Sequence, residues 1–362
     1  MPDVLALLAA PLSDAVFLIS MQGFVNWSAG FLTTVAIFAI VVIGLNVQWG
    51  YAGILNFGVV AFFMVGAYTS ALLTLGPPAQ FSDYILGLEM PIIVGWVAAA
   101  LMGGLLALVV GLPTLRLRLD FLAIATIGIA AILRTVASSA DSFVNRGRGL
   151  NGIPGLFAGS VSMSDYKWVL LATSLVILLL VFLLVRAATQ SPWGRVLRAI
   201  RDNEATAQAA GKATVVYRMQ AFVFGGAIIA FGGALYAHRI GSIGPEAFSD
   251  LFGTFLPYTM LIVGGAGNHR GAVIGALAVG FFWFGTPLIQ ESLPKAIGTN
   301  IFVWRQFAIG LLIVAFVLWL PRGLIAEEAR VSRFLPKEVG RGSFQSQLVA
   351  RLRRRTVEGG RE

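Results

Sequence analysis

Hydrophobic positions in this chain run in long unbroken blocks rather than in amphipathic stripes. Phe31 to Leu75 carries no formal charge. That is room for two spans of about 20 residues each if the Gly-rich Trp49-Gly50-Tyr51-Ala52-Gly53 marks a break. The pattern predicts helices over 29–48 and 56–75. Residues 90–115 are again uncharged, and a further apolar run follows Arg116-Leu117-Arg118-Leu119-Asp120, which predicts helices over 90–111 and 120–138. After a loop rich in Gly, Ser and Asn over 139–167 come the uncharged Trp168–Val185 and then Met219–Ala237, Leu251–Gly267, Gly271–Gln290 and Ile301–Leu320. The expected fold is an all-α polytopic membrane protein with eight or nine transmembrane helices, some of them short or broken. Residues 1–28 are apolar but interrupted by Pro11 and Asp14, so they form either an interfacial segment or an extra span. A transmembrane domain over 29–320 and a basic tail over 321–362 follow from the same pattern.

One polar loop, 186–218, interrupts these blocks, and within it Ser191 to Gly211 reads as a helix with its own start and stop. Ser191 supplies a side-chain acceptor for an N-cap, Pro192 suits the first helical position, and Gly211 suits a left-handed turn at the end. Trp193, Val196, Leu197 and Ile200 fall on one narrow apolar stripe, with Arg195, Arg198, Arg201 and Asp202 pointing elsewhere. Two readings fit: a helix resting on lipid headgroups, or a lever through which a soluble partner moves the transmembrane bundle.

Small residues recur at four-residue spacing in Gly103, Ala107 and Gly111, in Gly226 and Ala230, and in Gly271 and Gly275. In lipid this spacing lets helix backbones approach closely, and it predicts a tight bundle. The Gly-rich passages Gly50 to Gly58 and Gly264 to Gly271 are either corresponding points of an internal repeat or two connecting turns.

Of the 362 residues 57% are hydrophobic and 12% charged, far from the roughly 25% charged residues of soluble domains. The net charge of +9 is distributed along the chain in a way that reports topology. The first basic residue is Arg116, the 186–218 loop holds six basic against two acidic residues, and the tail beyond Leu320 holds ten against five. The positive-inside rule therefore places both the loop and the tail in the cytoplasm and requires an even number of crossings between them, which the last four spans supply. Residues 76–89 and 139–167 then lie outside, the second despite Arg146, Arg148 and Lys167.

The missing chemistry narrows the function. There is no cysteine, and the two histidines, His238 and His269, are too few for a metal cluster. None of the four lysines ends a P-loop, so the chain has no such loop to bind ATP itself. No carboxylate sits mid-span as a proton relay would require, and no G-x-S-x-G elbow accompanies Ser242 and His238. What remains is a passive conduit, or a transporter whose energy comes from another chain.

Gly44-Leu45-Asn46, Gly50-Tyr51-Ala52-Gly53, Gly66-Ala67-Tyr68, Leu115-Arg116-Leu117-Arg118, Leu122 to Thr126, Asn151-Gly152-Ile153, Gly194 to Glu204 and Gly264-Gly265-Ala266-Gly267 occur in an order that resembles the permease subunits of branched-chain amino acid ABC importers. The resemblance spans about Gly44 to Gly280. It implies a bacterial inner-membrane subunit with a cytoplasmic C-terminus, which is not itself an enzyme and pairs with a second homologous permease, two cytoplasmic ATP-binding subunits and a periplasmic substrate-binding protein. ATP is then bound by the partners. The resemblance also makes the polar segment a coupling helix, with Ser191, Trp193, Gly194, Arg195, Arg198, Asp202 and Glu204 facing the ATPase. The pattern departs from the usual E-A-A-x-x-x-G, since Glu204-Ala205-Thr206 is followed by Gly211 one residue late. The uncharged polar residues Asn46, Gln48, Asn56 and Thr126 are expected either on the translocation path or as partners of backbone groups near helix breaks. Urea or short amides as cargo, and a self-sufficient carrier or channel, are the alternatives.

Overall fold

The computed structural model describes residues 21–78, 84–117, 119–139, 144–145, 148–157, 161–289, 301–320 and 322–327. Residues 1–326 form one compact unit, and of the second, 327–362, only Glu327 is described. The expectations for residues 1–20 and for most of the tail thus lie outside the described residues.

The chain opens with α1 (Met21–Leu45), which continues into a π-helical turn, Asn46–Tyr51. Then come α2 (Val59–Thr74), α3 (Ile92–Thr114), α4 (Leu119–Ser139) and α5 (Met163–Gln190). Two short helices follow, α6 (Pro192–Asp202) and α7 (Glu204–Ala209), and then the long α8 (Thr214–Ile240). A second π turn, Leu251–Phe255, leads into α9 (Leu256–Gly264), and α10 (His269–Ile289) and α11 (Ile301–Trp319) complete the order. Among the described residues six helices are long and apolar enough to cross a membrane, and Val59–Thr74 and Leu251–Gly264 are shorter apolar helices. α2, at 16 residues, rises only about 24 Å, less than a hydrocarbon core of about 30 Å.

α1 and α8 are the buried centre. α8 packs on α1, α2 and α3, and α10 fills the space between α1 and α9. The predicted small-residue spacing is where α3 and α8 meet: a Cβ at Gly103 would touch Ala230 and the Gly226 carbonyl, and one at Gly226 would touch Ala107. Backbones that close gain dispersion contact without a hydrophobic driving force between helices. α3, α4, α5 and α11 turn large apolar side chains outward, among them Leu101, Leu105, Ile124, Ile132, Leu180, Leu184 and Leu318. In water such a surface would be unsustainable, and in lipid it is the normal exterior.

The bundle has two distinct ends. At one lie the first π turn, α6, the 265–268 turn and residues 322–326, whose Leu324 and Ile325 amides donate to the carbonyls of Val263 and Gly264 at 2.8 and 3.0 Å. At the other lie the short antiparallel pair Leu150–Asn151 and Ser242–Ile243, and the Tyr84–Val144 bridge. The polar loop and the start of the tail therefore share an end, as the parity of basic residues requires.

The single helix expected over Ser191–Gly211 is two helices. Asn203 interrupts it with an extended backbone, and its side-chain oxygen accepts from the Thr206 amide at 2.9 Å, capping α7. Asn is a strong N-cap because its short amide reaches the third amide onward, so a new helix starts here at little cost. The ends are as expected: Ser191 Oγ accepts from the Trp193 amide, Pro192 is the first helical residue, and Gly211 has φ 74°.

Candidate functional site

α6 lies across the broken end of α1. Leu197 and Ile200 are buried and Trp193 and Val196 half-buried, so the apolar stripe faces the bundle. Trp193 also donates its indole N–H to Gln220 on α8 at 2.9 Å. Gly194 has to be glycine, because a Cβ there would overlap the Thr189 carbonyl at the end of α5.

Not all the arginines point away, as the helical stripe alone predicts. Arg201 Nη1 donates to the Gly50 carbonyl inside the π turn, and the Arg198 guanidinium lies 5.5 Å from the centroid of Tyr51. The long stems of these side chains lie along apolar surface while their heads reach a carbonyl and a ring face. The glycines of Trp49 to Gly53 make this possible. Gly53 sits at φ 67° with Arg201 Cγ against it, and a Cβ at Gly50 would strike Asn46 and the Gly267 amide. Arg195, Ala199 and Asp202 remain exposed. Glu204 turns back to the protein, where Arg218, only 6% exposed, approaches it at 3.3 Å. The named residues therefore split: Arg195 and Asp202 look outward, whereas Gly194, Arg198 and Glu204 are held by the chain's own bundle.

Below the π turn, irregular backbone runs through the interior, where every amide and carbonyl needs a partner. Asn46, Gln48, Asn56 and Thr126 supply these partners, and all four are buried. Gln48 Nε2 donates to the Phe222 carbonyl on α8 at 2.9 Å, and Asn56 Nδ2 donates to Gln48 Oε1 at 2.9 Å. Asn56 Oδ1 accepts from the Gly58 amide, and Thr126 Oγ1 accepts from the Phe57 amide at 3.1 Å. Thr254 and Tyr258 add bonds from the second broken segment: Thr254 Oγ1 accepts from the Val60 amide, and the Tyr258 hydroxyl donates to the Asn56 carbonyl.

Asn46 is the hub. Its Oδ1 accepts from the Gly267 amide at 2.8 Å, which fixes the amide orientation, and its Nδ2 then donates to His269 Nδ1 at 3.1 Å. The imidazole proton is therefore on Nε2, which donates to Thr189 Oγ1 at 2.9 Å, while that hydroxyl donates to the Val185 carbonyl. The ring of His269 stacks on Tyr51 with centroids 4.7 Å apart. The two Gly-rich passages thus meet through Asn46, and α5, α6, α10 and the π turn converge on one polar knot. Sequence reasoning missed His269 and Thr189. A histidine at the first turn of an apolar helix was the signal available.

Compared with known families, residues 28–318 match the branched-chain amino acid transport system permease component. The chain belongs to that family. This bears out the resemblance seen in the sequence motifs and makes the protein a transport permease spanning the membrane several times. A probable branched-chain amino acid transport permease protein LivM from Methanocaldococcus jannaschii is 27% identical to it over 328 residues, covering 84% of this chain and 94% of the relative. The high-affinity branched-chain amino acid transport system permease proteins LivM and LivH of Escherichia coli K12 are each 26% identical, over 315 and 301 residues. They cover 81% and 80% of this permease, and 68% and 91% of their own lengths. No solved structure matches the chain.

Proposed function

We propose that this permease is one of two homologous membrane subunits of an ABC importer that carries branched-chain amino acids across the bacterial inner membrane. Two cytoplasmic ATP-binding subunits supply the energy, and a periplasmic binding protein delivers the substrate. The bundle has eight or nine crossings, with the C-terminus in the cytoplasm. That the chain matches both LivM and LivH supports a pair of related permeases.

The observation that carries this reading is the two-faced seating of α6. Its inner face is bonded to the π turn of the central helix through Arg201 and Arg198, and its outer face presents Arg195 and Asp202. α5, at 28 residues, is about 42 Å long, enough to clear the hydrocarbon and hold α6 in the aqueous phase. A partner pressing on the outer face moves the break at Asn46–Tyr51 directly, so α6 is the coupling helix. Asn46, Gln48, Asn56 and Thr126 hold the broken segments beside the path in a defined shape, and the path opens and closes as that shape changes.

Co-reconstitution with the partner subunits tests the reading. Uptake of leucine should require ATP and every partner, and Arg195→Glu should abolish substrate-stimulated ATPase activity while leaving the thermal stability of the permease unchanged. Flux from the permease alone in liposomes would instead establish a self-sufficient carrier. Full stimulation by the Arg195→Glu protein would remove α6 from the energy route.

A further inference from the structure

At the end of the bundle away from α6, a cleft of about 360 Å³ opens between the first turns of α1 and the last turns of α8. Its walls are aromatic: Trp27 and Phe31 from α1, Tyr236 from α8, Phe252 from the second π turn and Phe284 from α10. Among the described residues Arg239 is the one charged residue in that lining. Its Nη2 donates to the Gly30 carbonyl at 2.7 Å, which holds the guanidinium against the cleft, and its Nε is buried without a hydrogen-bond partner. No carboxylate pairs with it among the described residues. The buried Arg218, by contrast, has its charge answered by Glu204 at 3.3 Å.

We infer that this cleft is a substrate site in which Arg239 receives the carboxylate of an aliphatic amino acid and the aromatic walls receive its side chain. This rests on the reading of the chain as an amino acid permease and deepens it. A guanidinium is the group whose planar array of N–H donors matches a carboxylate, and with Nε sealed from the cleft the contact falls to its terminal nitrogens. The volume is at the small end of ligand-holding cavities, roughly 300–1,000 Å³, which suits a single amino acid. With no acidic residue among the described lining residues, the ammonium group is left to aromatic faces, a weaker contact. The site therefore selects first for a carboxylate beside an apolar body. It also lies at the end that the positive-inside rule places outside, where an importer receives its cargo.

The test is saturation-transfer NMR on the full-length permease in zwitterionic phosphatidylcholine nanodiscs, with L-leucine as the probe. Leucine and 4-methylpentanoate should both give signal, and L-leucinol, which lacks the carboxylate, should bind about tenfold more weakly or worse, the loss expected for one charge-assisted pair. Arg239→Gln should lose leucine binding to the same degree, with Arg239→Lys intermediate. Phe284→Trp, which narrows the cleft and leaves the Arg239–Gly30 bond in place, should also weaken binding and serves if the Arg239 variants do not fold. Absence of a leucine signal, equal binding of leucinol, or unchanged binding in both Arg239→Gln and Phe284→Trp would overturn the proposal. Displacement of leucine by equimolar inorganic phosphate would reduce the site to a general anion or lipid-headgroup site. In the assembled transporter, unchanged leucine uptake by Arg239→Gln would sink the cleft and spare the permease reading. Failure of the wild-type assembly to take up any branched-chain amino acid would sink that reading while leaving the NMR result to stand for the cleft.

Discussion

Asn46 joins three segments through one amide, and its value comes from the lack of any replacement for it. In a dry interior the Gly267 N–H and His269 Nδ1 have no water to turn to, so Asn46→Leu leaves both without a partner. Each such group costs about 1–3 kcal/mol, and the variant should lose several degrees of melting temperature in nanodiscs. Asn46→Asp keeps the acceptor for Gly267, and with its carboxyl protonated the O–H also replaces the donor to His269 Nδ1, so its loss should be smaller. Equal stability of wild type and Asn46→Leu would show that the knot is not a structural joint. Transport should fall with Asn46→Leu whether the residue touches the substrate or only shapes the path. The two roles separate in KM, since only direct contact changes the apparent affinity at fixed protein level. The sequence brings Asn46 to notice because a polar residue in an apolar run needs a reason. Its partner His269, 223 residues away, and that ring's own partner Thr189, 80 residues from it, could not be read locally.

α6 shows what a helical wheel can and cannot tell. The apolar stripe was legible because burial follows the 3.6-residue period, and Leu197 and Ile200 are buried as that period predicts. The inward turn of Arg198 and Arg201 was not legible, because what attracts them is a carbonyl and a ring exposed by a π turn in a distant segment. The division at Asn203 was missed for another reason: the stripe stops at Ile200, and nothing apolar beyond it marks a change of axis. These contacts make the two faces of α6 separable. Arg201→Ala breaks the link to Gly50 and releases Asp202, which Arg201 holds at 3.2 Å, but leaves Arg195 in place, so the partner ATPases should still bind while leucine-stimulated hydrolysis falls. Arg195→Glu should instead weaken ATPase binding itself, since reversing an exposed charge at an interface acts mainly on association. A pull-down and an ATPase assay on the same two variants separate the cases, and identical profiles would mean that α6 does not transmit through Arg201.

Across the whole molecule, burial runs from α1 and α8 at the centre to α3, α4, α5 and α11 at the margin, and this order was partly visible beforehand. Helices with small residues at four-residue spacing became central contacts, and the long uncharged Trp168–Val185 became part of a helix with a largely exposed apolar surface. The bends at 46–51 and 251–255 were harder to see, since π turns have no strong composition of their own and depend on side chains from other helices to complete their bonding. Charge parity did reach the global arrangement: it required the polar loop and the start of the tail to share an end, and residues 322–326 pack beside the 263–268 turn at the α6 end. Which end faces the cytoplasm can be measured directly, because the chain has no cysteine and any introduced thiol is the only one present. Leu86 and Lys212 are exposed at opposite ends of the bundle. A membrane-impermeant maleimide should label Leu86→Cys in cells whose outer membrane has been opened, and Lys212→Cys only in inverted inner-membrane vesicles. The opposite labelling would invert the topology, put α6 out of reach of any cytoplasmic ATPase, and turn the Arg239 cleft toward the cell interior, where an importer releases its cargo rather than receives it.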